Sequence, residues 1–165
     1  CAIATEMRLP RDMVEGIRMA GIVHDLGKIN IPAEILNKPG LLKDNEFNLI
    51  KRHPGVAYDI LKNIDFPWPI ARIVLQHHER LDGSGYSGGL SGDAICLEAR
   101  ILSVADVVES MSSHRPYRPA LGMDRALDEI RRYRGTLYDG EVVDNCLRLF
   151  EEGKFHLKTR EEISA

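Results

Sequence analysis

The sequence predicts an all-α fold, a single helical-bundle domain, on three observations. Apolar residues recur close to every 3.6 positions along nearly all of the 165 residues. Runs that alternate apolar and polar residues, as a half-buried strand would, are absent. No internal repeat and no linker-like stretch divides the chain.

The elements follow in order. A helix starts at Pro10 or Asp12, carries Met13, Ile17 and Ala20 on one face, reaches His24 and is ended by Gly27. Ile31-Pro32 opens a short helical turn, and Lys38-Pro39-Gly40 stops it. Asp44 reads as the N-cap of a helix through Leu49, Ile50 and His53. Pro54 suits a first helical turn, so a new segment begins there and runs to about Ile64. Phe66-Pro67-Trp68-Pro69 opens a helix bearing Ile70, Ile73, Val74, His77 and His78. A glycine-rich loop, Asp82–Gly89, either folds over a ligand or swings freely. A long helix follows with Leu97, Ile101, Val104, Ala105, Val108 and Met111 on its buried face, broken at His114-Arg-Pro-Tyr-Arg-Pro119. Two last helices, Asp124–Tyr133 and Asp139–Glu152, meet at a turn on Gly135.

Composition narrows the function. The formal charge is −3, from 22 Lys+Arg against 25 Asp+Glu, and aromatic residues make up only 6%. A polymeric nucleic acid needs a basic surface and stacking platforms, so that partner is excluded. No stretch approaches the ~20 apolar residues of a membrane span, and no secretory signal is visible. The three cysteines, Cys1, Cys96 and Cys146, form no CxxC pair, which fits a reduced, cytoplasmic setting with Cys96 and Cys146 as buried small hydrophobes. The chain opens on Cys1, and residues 1–15 read as the tail of an upstream helix in a longer protein. Residues 153–165 read as a polar tail.

The histidines carry the chemistry. His24 continues the Met13–Ile17–Ala20 stripe; His53 follows Leu49 and Ile50; His77 and His78 each lie four beyond an apolar residue. Asp25 adjoins His24, and Asp106 lies four past Leu102. Four inward imidazoles and two inward carboxylates are costly in an apolar core, because each must find a partner or lose its hydration. A divalent metal partners all of them at once. Nitrogen and oxygen donors without thiolate suit iron, manganese or zinc. Six donors exceed one tetrahedral site, which points to two metals bridged by a carboxylate. His114 and His156 read as surface residues, and Glu79 as orienting a ligand histidine or capping the loop.

At this point the sequence resembles the HD-GYP domain family, a branch of the HD metallohydrolases. The resemblance rests on His24-Asp25-Leu-Gly-Lys28, Ile35-Leu-Asn-Lys-Pro-Gly40, His53, His77-His-Glu-Arg-Leu-Asp-Gly-Ser-Gly-Tyr86, Arg100-Ile-Leu-Ser-Val-Ala-Asp106 and Arg115-Pro-Tyr-Arg118, in the family's order. It covers roughly Gly16 to Phe150 and implies a catalytic domain over 16–152. It implies hydrolysis of cyclic di-GMP to pGpG, GMP or both, by a metal-bridging hydroxide, with two or three divalent ions, iron or manganese. By the same resemblance His24, Asp25 and Asp106 hold one metal, and Asp25 bridges to a second held by His53, His77 and His78. Asp25 and Lys28 are then the catalytic residues. Lys28 lies by the scissile phosphate, Arg115 and Arg118 hold the substrate, and Tyr86 of the GYP loop binds it as well. Implied partners are diguanylate cyclase (GGDEF) domains, an upstream sensory or receiver domain, and a second copy in a homodimer. Ser87 stands where the motif has proline, which frees φ and restores a backbone donor. That departure gives weight to the alternative of a low-activity regulatory or dinucleotide-binding domain; another HD-type nucleotide phosphohydrolase is the second enzyme alternative.

Overall fold

A computed structural model describes residues 1–113 and 121–156. Among the described residues the chain forms nine α-helices, two short 3-10 turns and no strand: α1 (Ala2–Glu6), α2 (Arg11–Val23), a 3-10 turn (Leu26–Asn30), α3 (Ala33–Leu36), α4 (Asp44–Ile50), α5 (His53–Leu61), α6 (Ile70–Gln76), a second 3-10 turn (Gly92–Ala94), α7 (Leu97–Ser112), α8 (Met123–Arg132) and α9 (Gly140–Glu151). None of these helices is long and apolar enough to cross a membrane.

Two apolar clusters share α2 and α7. One gathers Ile3 and Ala4 of α1, Ile17, Ile101, Val104 and Val108 with the inner faces of α8 and α9. The other gathers Ala20, Ala57, Leu61, Ile70, Ile73, Val74, Ala99 and Leu102 from α2, α5, α6 and α7. Helices α2, α5 and α6 run out of the second cluster, and their ends deliver the histidines. Residues 1–15 contribute Ile3 and Ala4 to the core, with α1 packed on α9. At the other end Gly153 turns back at φ +64°, and Phe155 meets the Phe150 ring edge-on.

Several boundaries differ from the sequence expectation for local reasons. Asp44 is the first residue of α4 and Lys43 its cap; the Glu46 carboxylate accepts the Lys43 N–H at 2.7 Å, satisfying the helix start from inside. His53 does not close that helix but opens α5, with Pro54 beside it in the first turn, where its missing N–H costs nothing. Cys146 is buried, as expected. Cys96 is only half-buried, because it caps α7 and gives its N–H to Gln76 Oε1 at 2.9 Å instead of lying within the apolar stripe. Asp139 caps α9, accepting from the Glu141 and Val142 N–H groups.

One close approach sets the site's geometry. Gly27 in the first 3-10 turn lies directly on the first turn of α5. A Cβ there would overlap the His53 carbonyl oxygen and sit 2.8 Å from the Ala57 nitrogen. Only glycine allows the His24-Asp25 end of α2 to reach the start of α5.

Candidate metal centre

Helix α2 delivers His24 and Asp25 at its C-terminal end, α5 delivers His53 at its start, and α6 ends at Gln76 with His77 as its cap and His78 next. Asp106 lies midway along α7. His53, His77 and His78 lie together, with one ring nitrogen of each within 4.8 Å of the others. His24 stands 5.4 Å from His77, ring centroid to centroid, and His53 lies 5.1 Å from His78.

Three of the rings are oriented the same way. His24, His53 and His77 place Nδ1 on the carbonyl three residues back, Gly21 at 2.7 Å, Ile50 at 2.8 Å and Val74 at 2.6 Å. A carbonyl can only accept, so each Nδ1 carries the proton and each Nε2 presents a lone pair. His53 Nε2 and His77 Nε2 are buried and have no hydrogen-bond partner among the described residues. Buried polar atoms are rarely left that way. A divalent cation is the partner these lone pairs fit: the donors are nitrogen and carboxylate oxygen, without thiolate.

Asp25 stands between the histidines. Its Oδ2 is 3.6 Å from His24 Nε2, and its Oδ1 is 3.5 Å from His53 Nε2. Asp106 Oδ1 lies 3.7 Å from His24 Nε2, and its Oδ2 lies 4.0 Å from His78 Nδ1. Lys28 Nζ donates to Asp25 Oδ2 at 2.6 Å, so its charge is spent on the site and not on the helix end.

Electrostatics hold five of the six donors in metal-ready form, His24 being the exception. Burial lowers the His53 pKa, takes His77 down to about 4, and lowers His78 with help from the neighbouring His77. Burial works against the Asp106 carboxylate, but the His24 bond and the nearby imidazoles outweigh it and hold its pKa well below the usual range. Burial likewise opposes ionised Asp25; the Lys28 bond and His24 overcome it and lower that pKa. In His24 burial is outweighed by Asp106 and Asp25, and its pKa is raised.

These shifts predict an acid-labile metal-free protein. Unfolded histidine protonates near pH 6.5, whereas folded His77 resists protonation to about pH 4. Between those values the unfolded chain binds more protons, so stability is highest above pH 6.5 and falls as the pH drops through that window. His53 and His78 act in the same direction; His24, with its raised pKa, opposes them. His77 alone accounts for up to about 3 kcal/mol. Thermal melts of metal-free protein should therefore lose midpoint temperature from pH 7.5 to pH 5, and a rise on acidification would contradict these assignments.

The glycine-rich loop folds over the site. Gly85 lies on the His78–Arg80 backbone, where a Cβ would stand 2.5 Å from the His78 oxygen and the Arg80 nitrogen. The Tyr86 N–H donates to the His78 carbonyl at 3.2 Å, and the Tyr86 ring lies 4.7 Å from the His78 ring. Glu79, 3% exposed, accepts the Gly88 N–H at 2.6 Å and the Leu90 N–H at 3.1 Å. Glu79 therefore caps the loop; among the described residues it orients no histidine. Ser87 lies within this segment, after a cis Tyr86–Ser87 peptide.

Of the remaining candidates, Arg115, Arg118 and His114 lie outside the described residues, and His156 is exposed. Arg100, part of the matching motif, serves the fold: it binds the Ile95 carbonyl and the Asp93 and Asp139 carboxylates. Sequence reasoning did not single out Lys51, whose Nζ lies 5.6 Å from the Tyr86 ring centroid. Thirty-five residues separate the two, and no local pattern signals the contact. An apolar cavity of about 330 Å³ between α1, α2, α7 and α9 contains none of the candidate residues.

Fold and site define a helical domain organised around a histidine–aspartate cluster suited to divalent metal. The HD domain family model matches residues 2–142, and the chain belongs to that family. It is 47% identical over 148 residues to the cyclic di-GMP phosphodiesterase response regulator RpfG of Xanthomonas campestris pv. campestris, covering 88% of this chain and 39% of that protein. It is 41% identical over 152 residues to a cyclic di-GMP phosphodiesterase of Thermotoga maritima, covering 91% of this chain and 41% of that one. A 3'3'-cGAMP-specific phosphodiesterase 1 of Vibrio cholerae is 38% identical over 148 residues, covering 88% and 34%. The chain thus spans about two-fifths of the length of the first two relatives. Among solved structures, Bd1817, a HDG"Y"P protein from Bdellovibrio bacteriovorus, matches with a TM-score of 0.73 at 15% identity, over 91% of this chain and 48% of that one. That likeness shows a shared fold.

Proposed function

We infer that this chain is a metal-dependent phosphodiesterase that hydrolyses cyclic di-GMP to pGpG, GMP or both, in the bacterial cytoplasm. The observation that carries the reading is Asp25, whose two oxygens face different histidines, His24 and His53. A carboxylate so placed suits a bridge between two cations. His24, Asp25 and Asp106 would hold one ion, and Asp25, His53, His77 and His78 the other, with iron or manganese fitting the donor set. When bound, such a pair supplies Lewis-acid stabilisation of phosphoryl oxygens and a water acidified toward neutrality.

The chain's own residues do the rest. The Nδ1–carbonyl bonds hold three imidazoles with Nε2 deprotonated. Asp25 and Asp106 stay ionised at neutral pH. Lys28, at 2.6 Å from Asp25, places an ammonium where negative charge develops on the phosphoryl group. Arg115 and Arg118 add planar donors suited to phosphate or a guanine edge. Glu79 holds the loop that brings Tyr86 against His78. Diguanylate cyclase domains and a second copy of the chain remain the expected protein partners.

A second substrate, 3'3'-cGAMP, is favoured by the 38% identity to a Vibrio cholerae relative named as specific for it. Anaerobically purified protein should contain about two iron or manganese ions per chain and convert cyclic di-GMP to linear product faster than 3'3'-cGAMP. Faster turnover of 3'3'-cGAMP would exchange the two readings. Full metal content without any linear product would overturn the enzyme and leave a binding module.

A further inference from the structure

We propose that Lys51 is a substrate-positioning residue whose ammonium binds the phosphate of the dinucleotide that is not being cleaved; the assignment rests on the cyclic dinucleotide reading above. Lys51 closes α4, one turn after Phe47 and two residues before His53. Its Nζ lies 4.8 Å from the Phe47 ring centroid and 5.6 Å from that of Tyr86. The Tyr86 ring in turn lies against His78. Two aromatic faces thus hold the cation at the rim of the histidine cluster.

The telling feature is a cation beside Tyr86 that has no counter-charge among the described residues. Lys28, the other lysine of the site, gives its charge to Asp25 at 2.6 Å, and Lys38, Lys62 and Lys154 each pair with carboxylates. Among the described residues no carboxylate lies within 4.0 Å of Lys51 Nζ. Aromatic faces attract a cation without neutralising it, so the charge and the N–H donors stay available to an anion. Ordering the long side chain against two rings also lowers the entropy cost of using it. A cyclic dinucleotide brings two phosphodiesters. With Lys28 committed beside Asp25, where the scissile group must sit, Lys51 is the described cation placed for the other.

The test compares two substrates. Bis(p-nitrophenyl) phosphate has a single phosphodiester and needs the metals and Lys28 but not Lys51. In the metal-loaded protein Lys51→Met should raise KM for cyclic di-GMP by ~10–100-fold, as loss of a charge-assisted bond implies. It should change kcat less than about twofold and leave metal content and bis(p-nitrophenyl) phosphate hydrolysis as in the wild type. Lys51→Arg should restore KM to within about threefold, and the KM gap should narrow as salt is added. Equal losses on both substrates would mark a structural role and overturn the assignment. Wild-type turnover of cyclic di-GMP with an unchanged KM in Lys51→Met would overturn it alone. Wild-type protein that cleaves bis(p-nitrophenyl) phosphate but no cyclic dinucleotide would overturn the substrate reading and this assignment together.

Discussion

Asp25→Ala should lower phosphodiesterase turnover by more than about 10³-fold, beyond the loss expected for a single stabilising donor. Three groups meet at this carboxylate: His24 Nε2, His53 Nε2 and the Lys28 ammonium. Its removal takes the shared ligand from the proposed cation pair and leaves Lys28 without its counter-charge. Metal content should fall with activity, because His24 and His53 no longer share an anionic partner. Asp25→Asn keeps the shape and loses the charge, so it should be nearly as impaired. Plasma-mass-spectrometric metal analysis beside a turnover assay checks this. A variant retaining more than a tenth of wild-type activity would show that Asp25 is not the bridge.

Gly27→Ala should lower the melting temperature by ~3–10 °C and remove most activity, although it changes no candidate ligand. The added Cβ overlaps the His53 carbonyl oxygen, which is backbone and cannot rotate away. The 3-10 turn must then lift off α5, drawing Asp25 away from His53. The α5 first turn is pinned by Pro54 and by the apolar cluster through Ala57 and Leu61, so little relaxation is available on that side. Gly40→Ala is a useful contrast. Its φ of +84° makes it a strained position, but no atom lies within 4 Å of a Cβ there, so it should cost stability without moving the ligands. Thermal melts and metal content of both variants test the distinction. Equal metal loss in the two would count against the Gly27 contact as the feature that sets the site.

Helix content was legible because the longer helices each bury one stripe, and a stripe at period 3.6 is visible in a single chain. The boundaries were less so. His53 was expected at the end of α4, since Leu49 and Ile50 carry the apolar pattern up to it. Pro54 instead belongs in the first turn of α5, and the proline takes His53 with it. Cys96 was expected as a buried small hydrophobe but is half-buried as the cap of α7, a position fixed by its bond to Gln76, twenty residues away. Glu79 shows the same limit. Its place after two histidines suggests a ligand-orienting role, but the N–H groups it binds come from Gly88 and Leu90 and become available only once the loop has turned back.

What the sequence determined by itself is the chemistry at hand: imidazoles and carboxylates on apolar helical faces, too many to bury without a cation, and no thiolate among them. That conclusion needs only residue type and period, since a buried polar group without a partner is costly in any fold. Tertiary structure alone decided which donors meet. The two oxygens of Asp25 face histidines on different elements, and the close approach of Gly27 to α5 helps bring those elements together. It alone also laid Lys51 over Tyr86, because ring and cation meet through the packing of a loop on α4, and no period in the chain encodes a contact between segments so far apart.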